Sequence, residues 1–195
     1  MGDAIVEHAV ASKWKMNRTH PFELTVPASA TDHSVGPANA LVTVIEYGDF
    51  ECPNCKQAAP AVKLLLHRFQ GRIRFVYRHF PLEEVHPHAL HAAEAAESAG
   101  GQGKFWPMHD LLFENQPHLK LPQLRSYAER LELDLARYAA EMEDHVYLQR
   151  IREHLQSGRE SGARATPTFF VHRRIQDVSF GLGSLFDAVE SALRK

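Results

Sequence analysis

The order of apolar and polar positions divides this chain into strand-like outer parts and a helix-like middle. Residues 41–45 and 73–80 are apolar runs rich in β-branched and aromatic side chains, the pattern of strands buried on both faces of a sheet. Between them, over 62–69, apolar residues recur at helical spacing. These segments predict a β-α-β unit with parallel strands and a right-handed crossover. The alternation at 22–26 predicts another short strand, and the composition of 28–40 indicates a loop.

The rest of the pattern is a helical block, followed by two more strands and a helix. Helical periodicity recurs through the middle of the chain, at 88–99, 105–113, 122–131, 135–142 and 146–155. Strand patterns return at 168–171 and 174–180, and an amphipathic helix over 185–193 follows them. This order predicts an α/β fold with an all-helical insertion. Residues 1–20 show little pattern, and we expect them to form an N-terminal arm.

Composition and charge argue against several classes of protein. The chain has 195 residues with 22 Lys and Arg against 24 Asp and Glu, and its formal net charge of −2 argues against nucleic-acid binding. No apolar run approaches the roughly 18 residues of a membrane-spanning helix, so we expect no membrane insertion. Asp3, Glu7 and His8 stand where a signal peptide would be apolar, which predicts a cytoplasmic location. We interpret the 13 histidines as part of a solvated surface that gains charge on acidification.

The candidate chemistry lies in the two cysteines, Cys52 and Cys55. Two cysteines exclude a disulfide-stapled scaffold and a four-cysteine zinc site. Cys52 follows a predicted strand and opens a predicted helix, where unpaired backbone N–H groups and the helix dipole favour a thiolate. Cys55 lies one helical turn later, within disulfide reach, which predicts a nucleophile and a resolving thiol. Pro53 suits the first helical turn, and Asn54 adds a polar group beside the sulfurs.

Three other interpretations of the cysteines stay open at this point. The pair could be half of a zinc site completed by His86, His88 or His91, although the spacing of these histidines does not match the usual pattern, and we expect no metal. The chain could be a redox sensor or binding module that is switched by oxidation of the two cysteines. It could also carry out thiol-dependent peroxide or glutathione chemistry on the same fold.

Four segments resemble one known family. They are VIEYGDFECPNCKQAAP (44–60), RHFPLEEVHPHALHAAEAAESA (78–99), GKFWPMHDLLFE (103–114) and ATPTFFV (165–171). Together they resemble the DsbA-like branch of thiol:disulfide oxidoreductases in the thioredoxin superfamily, and most of all the bacterial domains found alone or fused behind sodium/proton antiporters. The resemblance implies a thioredoxin fold, a central mixed β-sheet flanked by helices. Its core would be 21–83 and 156–195, with the helical insertion at 84–155.

The resemblance also implies roles for three residues away from the cysteines. Glu46, six positions before Cys52, would be a buried acid that accepts the proton of Cys55; the alternative is a strand-end glutamate paired with a lysine. Pro167 would be a cis proline that presents the Thr166 backbone to an extended substrate; the alternative is an ordinary trans proline.

The implied activity is disulfide exchange with protein or peptide thiols and disulfides, with a recycling redox partner. It needs no cofactor beyond the Cys52–Cys55 disulfide. The oligomeric state and the direction of electron flow stay open, although the predicted cytoplasmic location favours a reductase or isomerase.

Several further residues are weaker candidates. Lys56 could add positive charge near the thiolate, or could be an ordinary solvated lysine. A few aromatic side chains could line a substrate groove, although we expect most of them to be core: Phe50, Phe105, Trp106 and Phe169. The family often turns through Asn-Gly after its last motif, whereas this chain has His172-Arg173-Arg174. We therefore expect a longer or differently shaped hairpin, with a basic tip near the substrate face.

Overall fold

A computed structural model describes residues 23–179 and 181–194 of the chain. Within them lie five strands and seven helices. The strands are β1 (His33–Val35), β2 (Val42–Gly48), β3 (Ile73–His79), β4 (Thr168–Val171) and β5 (Arg174–Gln176). The helices are α1 (Pro53–Arg68), α2 (Ala89–Gly100), α3 (Phe105–Glu114), α4 (Leu121–Arg130), α5 (Leu135–Glu143), α6 (Leu148–Glu160) and α7 (Gly183–Ala192).

The strands form one mixed sheet in the order β1-β3-β2-β4-β5. The two central strands, β2 and β3, are parallel and are joined through α1, whereas the other pairs are antiparallel. β2 and β3 are buried along almost their whole length because helices or loops cover both faces of the sheet, which explains their continuous apolar runs. The predicted thioredoxin fold, a mixed sheet flanked by helices with a helical insertion, is confirmed.

The two faces of the sheet belong to separate apolar clusters. Side chains alternate along a strand, so Val44 and Tyr77 lie in the larger cluster beneath α1 and α3, whereas Ile45 and Val76 lie in the smaller cluster on the opposite face. The next residues toward the active site, Glu46 and Tyr47, follow the same alternation. Polar side chains of neighbouring positions therefore enter different environments.

The helical insertion lies between β3 and β4. Its first helix, α2, is alanine-rich and almost completely buried, because small side chains let it pack closely against α3, α4 and α5. The helix α6 runs across the position predicted as the end of the insertion, between 155 and 156, so that boundary stays a prediction. None of the helices within 23–179 and 181–194 is both long and apolar enough to cross a membrane.

Three predicted local structures are wrong in detail. In the described part of the predicted strand, residues 23–26, one bridge joins Glu23 to Arg174, and the Leu24 N–H donates to the Arg173 carbonyl at 2.7 Å. The loop over 28–40 contains β1, which pairs with β3 and covers its edge. A three-residue strand is too short to show a period of two in the sequence. Regular pairing in the last strand ends at Gln176.

The hairpin between β4 and β5 also differs from the expectation. Only His172 and Arg173 separate the two strands, and His172 adopts a left-handed φ of 54°. The basic tip lies beyond Val171, which pairs with Val44, whereas Thr168 at the other end of β4 pairs with Tyr47. The hairpin is therefore short, and its tip is at the end of β4 far from Thr166. The predicted N-terminal arm, residues 1–20, lies outside the described residues.

Candidate active site

The site begins where β2 ends and α1 starts. Cys52 is the N-cap residue of α1, with extended backbone angles (φ −73°, ψ 122°). Pro53 is the first helical residue, and its missing N–H costs no hydrogen bond because N–H groups in the first turn have no partner within the helix. One turn later Cys55 is completely buried. Both cysteines are free thiols in this structure. Asn54 and Lys56 are exposed on α1.

The environment of Cys52 favours its thiolate. Its pKa falls to about 5, first because the Cys55 thiol donates to it, and further through Thr166 and the backbone N–H groups of Asn54 and Cys55, against the opposing effect of burial. In its protonated form the Cys52 thiol donates to the Thr166 carbonyl, at 3.3 Å. Cys52 therefore has the properties of an attacking thiolate at neutral pH.

Cys55 has the opposite properties. Burial raises its pKa well above the ordinary value, and the hydrogen bond it donates to Cys52 and the charges of Glu46 and Cys52 raise it further. The backbone N–H of Asp49 donates to the Cys55 sulfur at 3.4 Å. Cys55 is thus held as a neutral thiol until a base takes its proton.

Glu46 is a candidate for that base. Its side chain is buried on β2, and burial, followed by the charge of Cys52, raises its pKa to about 8. No hydrogen bond from the described residues contributes to this shift, which argues against the alternative of a lysine-paired strand-end glutamate. A cavity of about 200 Å³ between α1 and α3 reaches Glu46, with Lys63 and Asp110 at its wall. The carboxyl is therefore buried yet adjoins a space through which a proton can leave.

Thr166 and Pro167 lie beside Cys52. The peptide bond between them is cis, and they directly precede β4. Both line a groove of about 530 Å³ that runs between α1 and the segment before α7, together with Asn54, Gln57, Val178 and Leu182. This open groove beside the Thr166 backbone has room for an extended peptide.

The structure adds residues that the sequence analysis did not single out. The Gln116 amide, from the loop after α3, donates to the carbonyls of Phe50 and Cys52, at 2.9 Å each. It therefore connects the helical insertion to the active-site loop. No local sequence pattern marks this glutamine, because its partners are backbone atoms 64 and 66 residues away.

Two histidines named in the alternative zinc interpretation contact the active-site loop. His86 Nδ1 lies 2.8 Å from the buried Asp49 carboxylate, and His88 Nδ1 lies 2.9 Å from Glu51. Among residues 23–179 and 181–194, the one cluster with metal-ligand spacing is His79, Glu97 and His154, which contains neither cysteine. Its Glu97 carboxylate is already bonded by His79, by His33 and by Arg150.

Three of the four aromatic residues named as possible groove residues lie in the core, as expected for most of them. Phe50, Phe105 and Phe169 are buried in the core beneath α1 and α3. Trp106 is half-buried and lines the cavity that reaches Glu46, a different surface from the groove beside Pro167. Large aromatic side chains follow the core because burying them removes the most apolar area from water.

Comparisons with known proteins agree with this geometry. A family model described as "Thioredoxin" matches residues 28–189.

The chain belongs to this thioredoxin family.

Two of the most similar curated relatives of this thioredoxin-family protein carry an antiporter name. The "Na(+)/H(+) antiporter NhaA 1" of Salinispora arenicola is 50% identical over 172 residues, which are 88% of this chain and 26% of that protein. The "Na(+)/H(+) antiporter NhaA" of Herminiimonas arsenicoxydans is 39% identical over 97% of this chain and 30% of its own length. The chain thus spans between a quarter and a third of the length of these relatives.

Solved structures show that the thioredoxin fold here is DsbA-like. Oxidised BdbD from Bacillus subtilis superposes with a TM-score of 0.78 at 20% identity, covering 87% of this chain and 96% of that one. A thioredoxin-like oxidoreductase from Silicibacter pomeroyi has a TM-score of 0.74 at 26% identity, covering 86% and 95% of the two chains. The chain therefore has the fold of a thiol-disulfide oxidoreductase, with Cys52 and Cys55 close together.

Proposed function

We propose that this thioredoxin-family protein exchanges disulfides with protein or peptide substrates, with Cys52 as the nucleophile and Cys55 as the resolving thiol. One observation carries the proposal: two thiols one helical turn apart have pKa values displaced in opposite directions, Cys52 to about 5 and Cys55 well above its ordinary value. This asymmetry separates an attacking thiolate from a thiol held in reserve.

The two cysteines and Glu46 account for every bond, proton and electron of the proposed exchange. The Cys52 thiolate attacks one sulfur of a substrate disulfide, and the other substrate sulfur leaves as a thiolate. Cys55 then gives its proton to the Glu46 carboxylate and attacks the Cys52 sulfur, which releases the second substrate thiolate. The substrate gains two electrons and the protein keeps the Cys52–Cys55 disulfide, so the exchange requires no further cofactor. A recycling thiol or disulfide partner resets the pair.

The substrate-facing residues fit this chemistry. The Thr166 backbone carbonyl lies beside the Cys52 sulfur, and the groove past Pro167 is open. An extended segment that pairs with the Thr166 backbone would have its disulfide beside Cys52. Pro53 and Asn54 tune the thiolate through the helix start and through the Asn54 backbone N–H.

The assignment of roles is tested by turnover of insulin with dithiothreitol. We expect strong acceleration by the wild-type protein, none by Cys52→Ser, and accumulation of trapped mixed disulfides by Cys55→Ser. Equal residual turnover in both variants would contradict the two roles. No acceleration by the wild-type protein would favour a redox sensor or binding module instead, and turnover of peroxide without insulin reduction would favour peroxide chemistry.

The direction of electron flow is a separate proposal. Hydrogen bonds that stabilise the Cys52 thiolate stabilise the reduced protein, which favours donation of the disulfide to substrates. The cytoplasmic location predicted from the sequence favours a reductase or isomerase, and that location stays a prediction. The reduction potential of the Cys52–Cys55 pair, measured by equilibration in glutathione buffers, tests the direction. A potential near that of known oxidases supports donation of the disulfide to substrates, and one near that of thioredoxin supports reduction of substrate disulfides.

A further inference from the structure

The active-site loop, residues 49–52, contains a buried carboxylate with three hydrogen-bond donors. Asp49 directly follows β2, and its side chain is buried. One carboxylate oxygen accepts from the Glu51 backbone N–H at 2.7 Å. The other accepts from the Leu82 backbone N–H at 2.9 Å and from His86 Nδ1 at 2.8 Å. The Asp49 side chain therefore attaches this loop to the segment after β3, residues 80–88.

The backbone of the same residue contacts both cysteines. The Asp49 N–H donates to the Cys55 sulfur at 3.4 Å, and the Asp49 carbonyl accepts from the Cys52 N–H at 3.2 Å. Because peptide units are planar, the direction of an N–H is fixed once the backbone dihedral angles beside it are fixed. Hydrogen bonds that lock a side chain restrain the backbone that carries it. The contacts of the carboxylate therefore help to aim the Asp49 N–H at Cys55.

This N–H has its largest effect when Cys55 carries negative charge. Cys55 is fully buried, so water does not stabilise its thiolate. Burial and the charges of Glu46 and Cys52 raise the pKa of Cys55, whereas the hydrogen bond from the Asp49 N–H lowers it. Hydrogen bonds to ionised groups are about twice as strong as those between neutral groups. The donor is therefore worth more to the reacting thiolate than to the resting thiol.

We propose that Asp49 is a positioning residue for disulfide exchange: its carboxylate, held by the segment after β3, directs its backbone N–H to the Cys55 sulfur as that sulfur becomes a thiolate. In this step Cys55 gives its proton to Glu46 and attacks the Cys52 sulfur. The substrate thiolate leaves with the electron pair of the broken S–S bond. Asp49 itself exchanges no proton or electron. The inference rests on the proposed exchange function.

The charge of Asp49 acts in the opposite direction to its N–H. A nearby negative charge disfavours ionisation of a thiol, so loss of the carboxylate charge alone would make the Cys55 thiolate easier to form. A loosened loop that admits water would act in the same direction, because water stabilises the ionised form. Loss of an aimed N–H makes the thiolate harder to form. The sign of the change therefore separates positioning from a charge effect and from a general loss of structure.

The first test is the Asp49→Asn variant, which keeps the shape of the side chain. Whichever way the amide is turned, its NH₂ group faces the backbone N–H of Leu82 or of Glu51, so one hydrogen bond of the loop is lost. We expect resolution of a Cys52 mixed disulfide to slow by about tenfold and its pH profile to move to higher pH.

Rapid mixing of the reduced protein with oxidised glutathione, followed by acid quench and mass spectrometry, measures both steps. Attack forms the mixed disulfide of Cys52 with glutathione at a rate that depends on glutathione concentration. Resolution forms the Cys52–Cys55 disulfide at a rate that does not. Attack should change by less than about threefold in Asp49→Asn, because the backbone donors to the Cys52 sulfur, Asn54 and Cys55, belong to α1.

Glu51→Gln is the matched control. Glu51 lies in the same loop, and its carboxylate also contacts the segment after β3, through the His88 N–H at 2.7 Å and His88 Nδ1 at 2.9 Å. Its own backbone N–H donates to Asp49 and not to a sulfur. Its side chain is partly exposed, so resolution should stay within about twofold of wild type, with an unchanged pH profile.

Variants of His86 keep the inference testable if Asp49→Asn fails to fold. The His86 side chain is partly exposed, so the fold should tolerate its replacement. His86→Leu removes one donor to the Asp49 carboxylate, and we expect resolution to slow by about threefold with the pH profile moved to higher pH. His86→Gln has a similar size and an amide that can donate to the carboxylate, so it should restore the wild-type rate.

Slower resolution with a pH profile moved to higher pH supports the inference. Three results would overturn it: wild-type resolution in Asp49→Asn and in His86→Leu, a profile that moves to lower pH, or equal slowing in Glu51→Gln. A wild-type protein that forms no Cys52–Cys55 disulfide from oxidised glutathione would instead contradict the proposed exchange function.

Discussion

Four buried polar side chains on the central sheet differ in their hydrogen-bond partners, according to the face of the sheet on which they lie. Glu46 and Tyr47 are neighbours on β2, and Tyr77 and Arg78 are their partners in register on β3. Because side chains alternate along a strand, Glu46 and Tyr77 enter the face beneath α1, whereas Tyr47 and Arg78 enter the other face. All four side chains are almost completely buried.

On the face away from the cysteines, the buried charge of Arg78 is fully paired. The Arg78 guanidinium donates to both Asp32 carboxylate oxygens, at 2.9 and 3.0 Å, and to the Tyr47 hydroxyl at 3.0 Å. It also donates to the carbonyls of Val26 and Pro27. This network attaches the segment before β1 to the sheet, and complete pairing makes burial of the charge tolerable.

On the cysteine face, Glu46 and Tyr77 lack such partners among the described residues. No hydrogen bond from the described residues shifts the pKa of Glu46, and the Tyr77 hydroxyl is unpaired within the same part of the chain. Missing partners leave burial as the largest influence, so the pKa values of both groups rise. Pairing stabilises the fold, whereas its absence keeps a proton available for chemistry.

The largest expected effect is on the free energy of unfolding, and it tests the paired face. Arg78→Met should lower the free energy of unfolding by about 3–5 kcal/mol, because Asp32 would remain buried without its counter-ion. Urea denaturation measures this loss. Exchange activity per folded molecule should stay within about twofold of wild type, since the network lies on the opposite face. A loss below about 1 kcal/mol would mean that the pairing contributes little.

The next effect is kinetic and concerns the unpaired face. Glu46→Gln keeps the size of the side chain and removes the base, so resolution of a Cys52 mixed disulfide should slow by about 100-fold. Attack by Cys52 should be much less affected. Stopped-flow measurement of the two steps separates them, and unchanged resolution would refute the proton-transfer role.

The raised pKa of the unpaired Glu46 should make the free energy of unfolding depend on pH. Folded Glu46 keeps its proton up to a pKa of about 8, whereas in the unfolded chain it titrates near 4.5. Between these values the folded state binds more protons, so the stability present at low pH is lost as pH rises. From about pH 5 to about pH 8, wild type should lose on the order of 2 kcal/mol relative to Glu46→Gln. Urea curves of the oxidised proteins, in which the cysteines do not titrate, make this comparison. The Cys52 charge is absent there and burial alone raises the Glu46 pKa, so the loss is smaller than the full shift would give; parallel curves would place the Glu46 pKa near its ordinary value.

The smallest effect compares the two buried tyrosines. Tyr47→Phe should lower the free energy of unfolding by about 1 kcal/mol, because it leaves donors on Arg78 and Ser157 without their acceptor. Tyr77→Phe should cause no loss, because its hydroxyl has no bond to give up. Thermal or urea denaturation of the two variants tests this, and equal losses would show that the faces do not differ in pairing.

Much of the site follows from local sequence, and some of it does not. The placement of Cys52 at a helix start could be predicted because strand and helix periodicities change on either side of it, whereas the burial of Glu46 was implied by the family resemblance. The contacts of Gln116, His86 and His88 with the active-site loop were missed because their partners are backbone or carboxylate groups more than 30 residues away along the chain. Tyr77 was counted as part of a strand, since nothing in its own segment indicates that its hydroxyl stays unpaired.

The sequence by itself determined the strand and helix order, the parallel β2–β3 pair and the spacing of the two cysteines. These features depend on periodicity and on residues within one turn or one strand. The tertiary structure alone decided which face each polar residue enters, that β1 covers the edge of β3, and that Asp32 pairs with Arg78. It also left Glu46 and the Tyr77 hydroxyl without a hydrogen-bond partner in the part of the chain that the structure describes. Burial and pairing set the pKa of a group, and both depend on what distant segments bring to it.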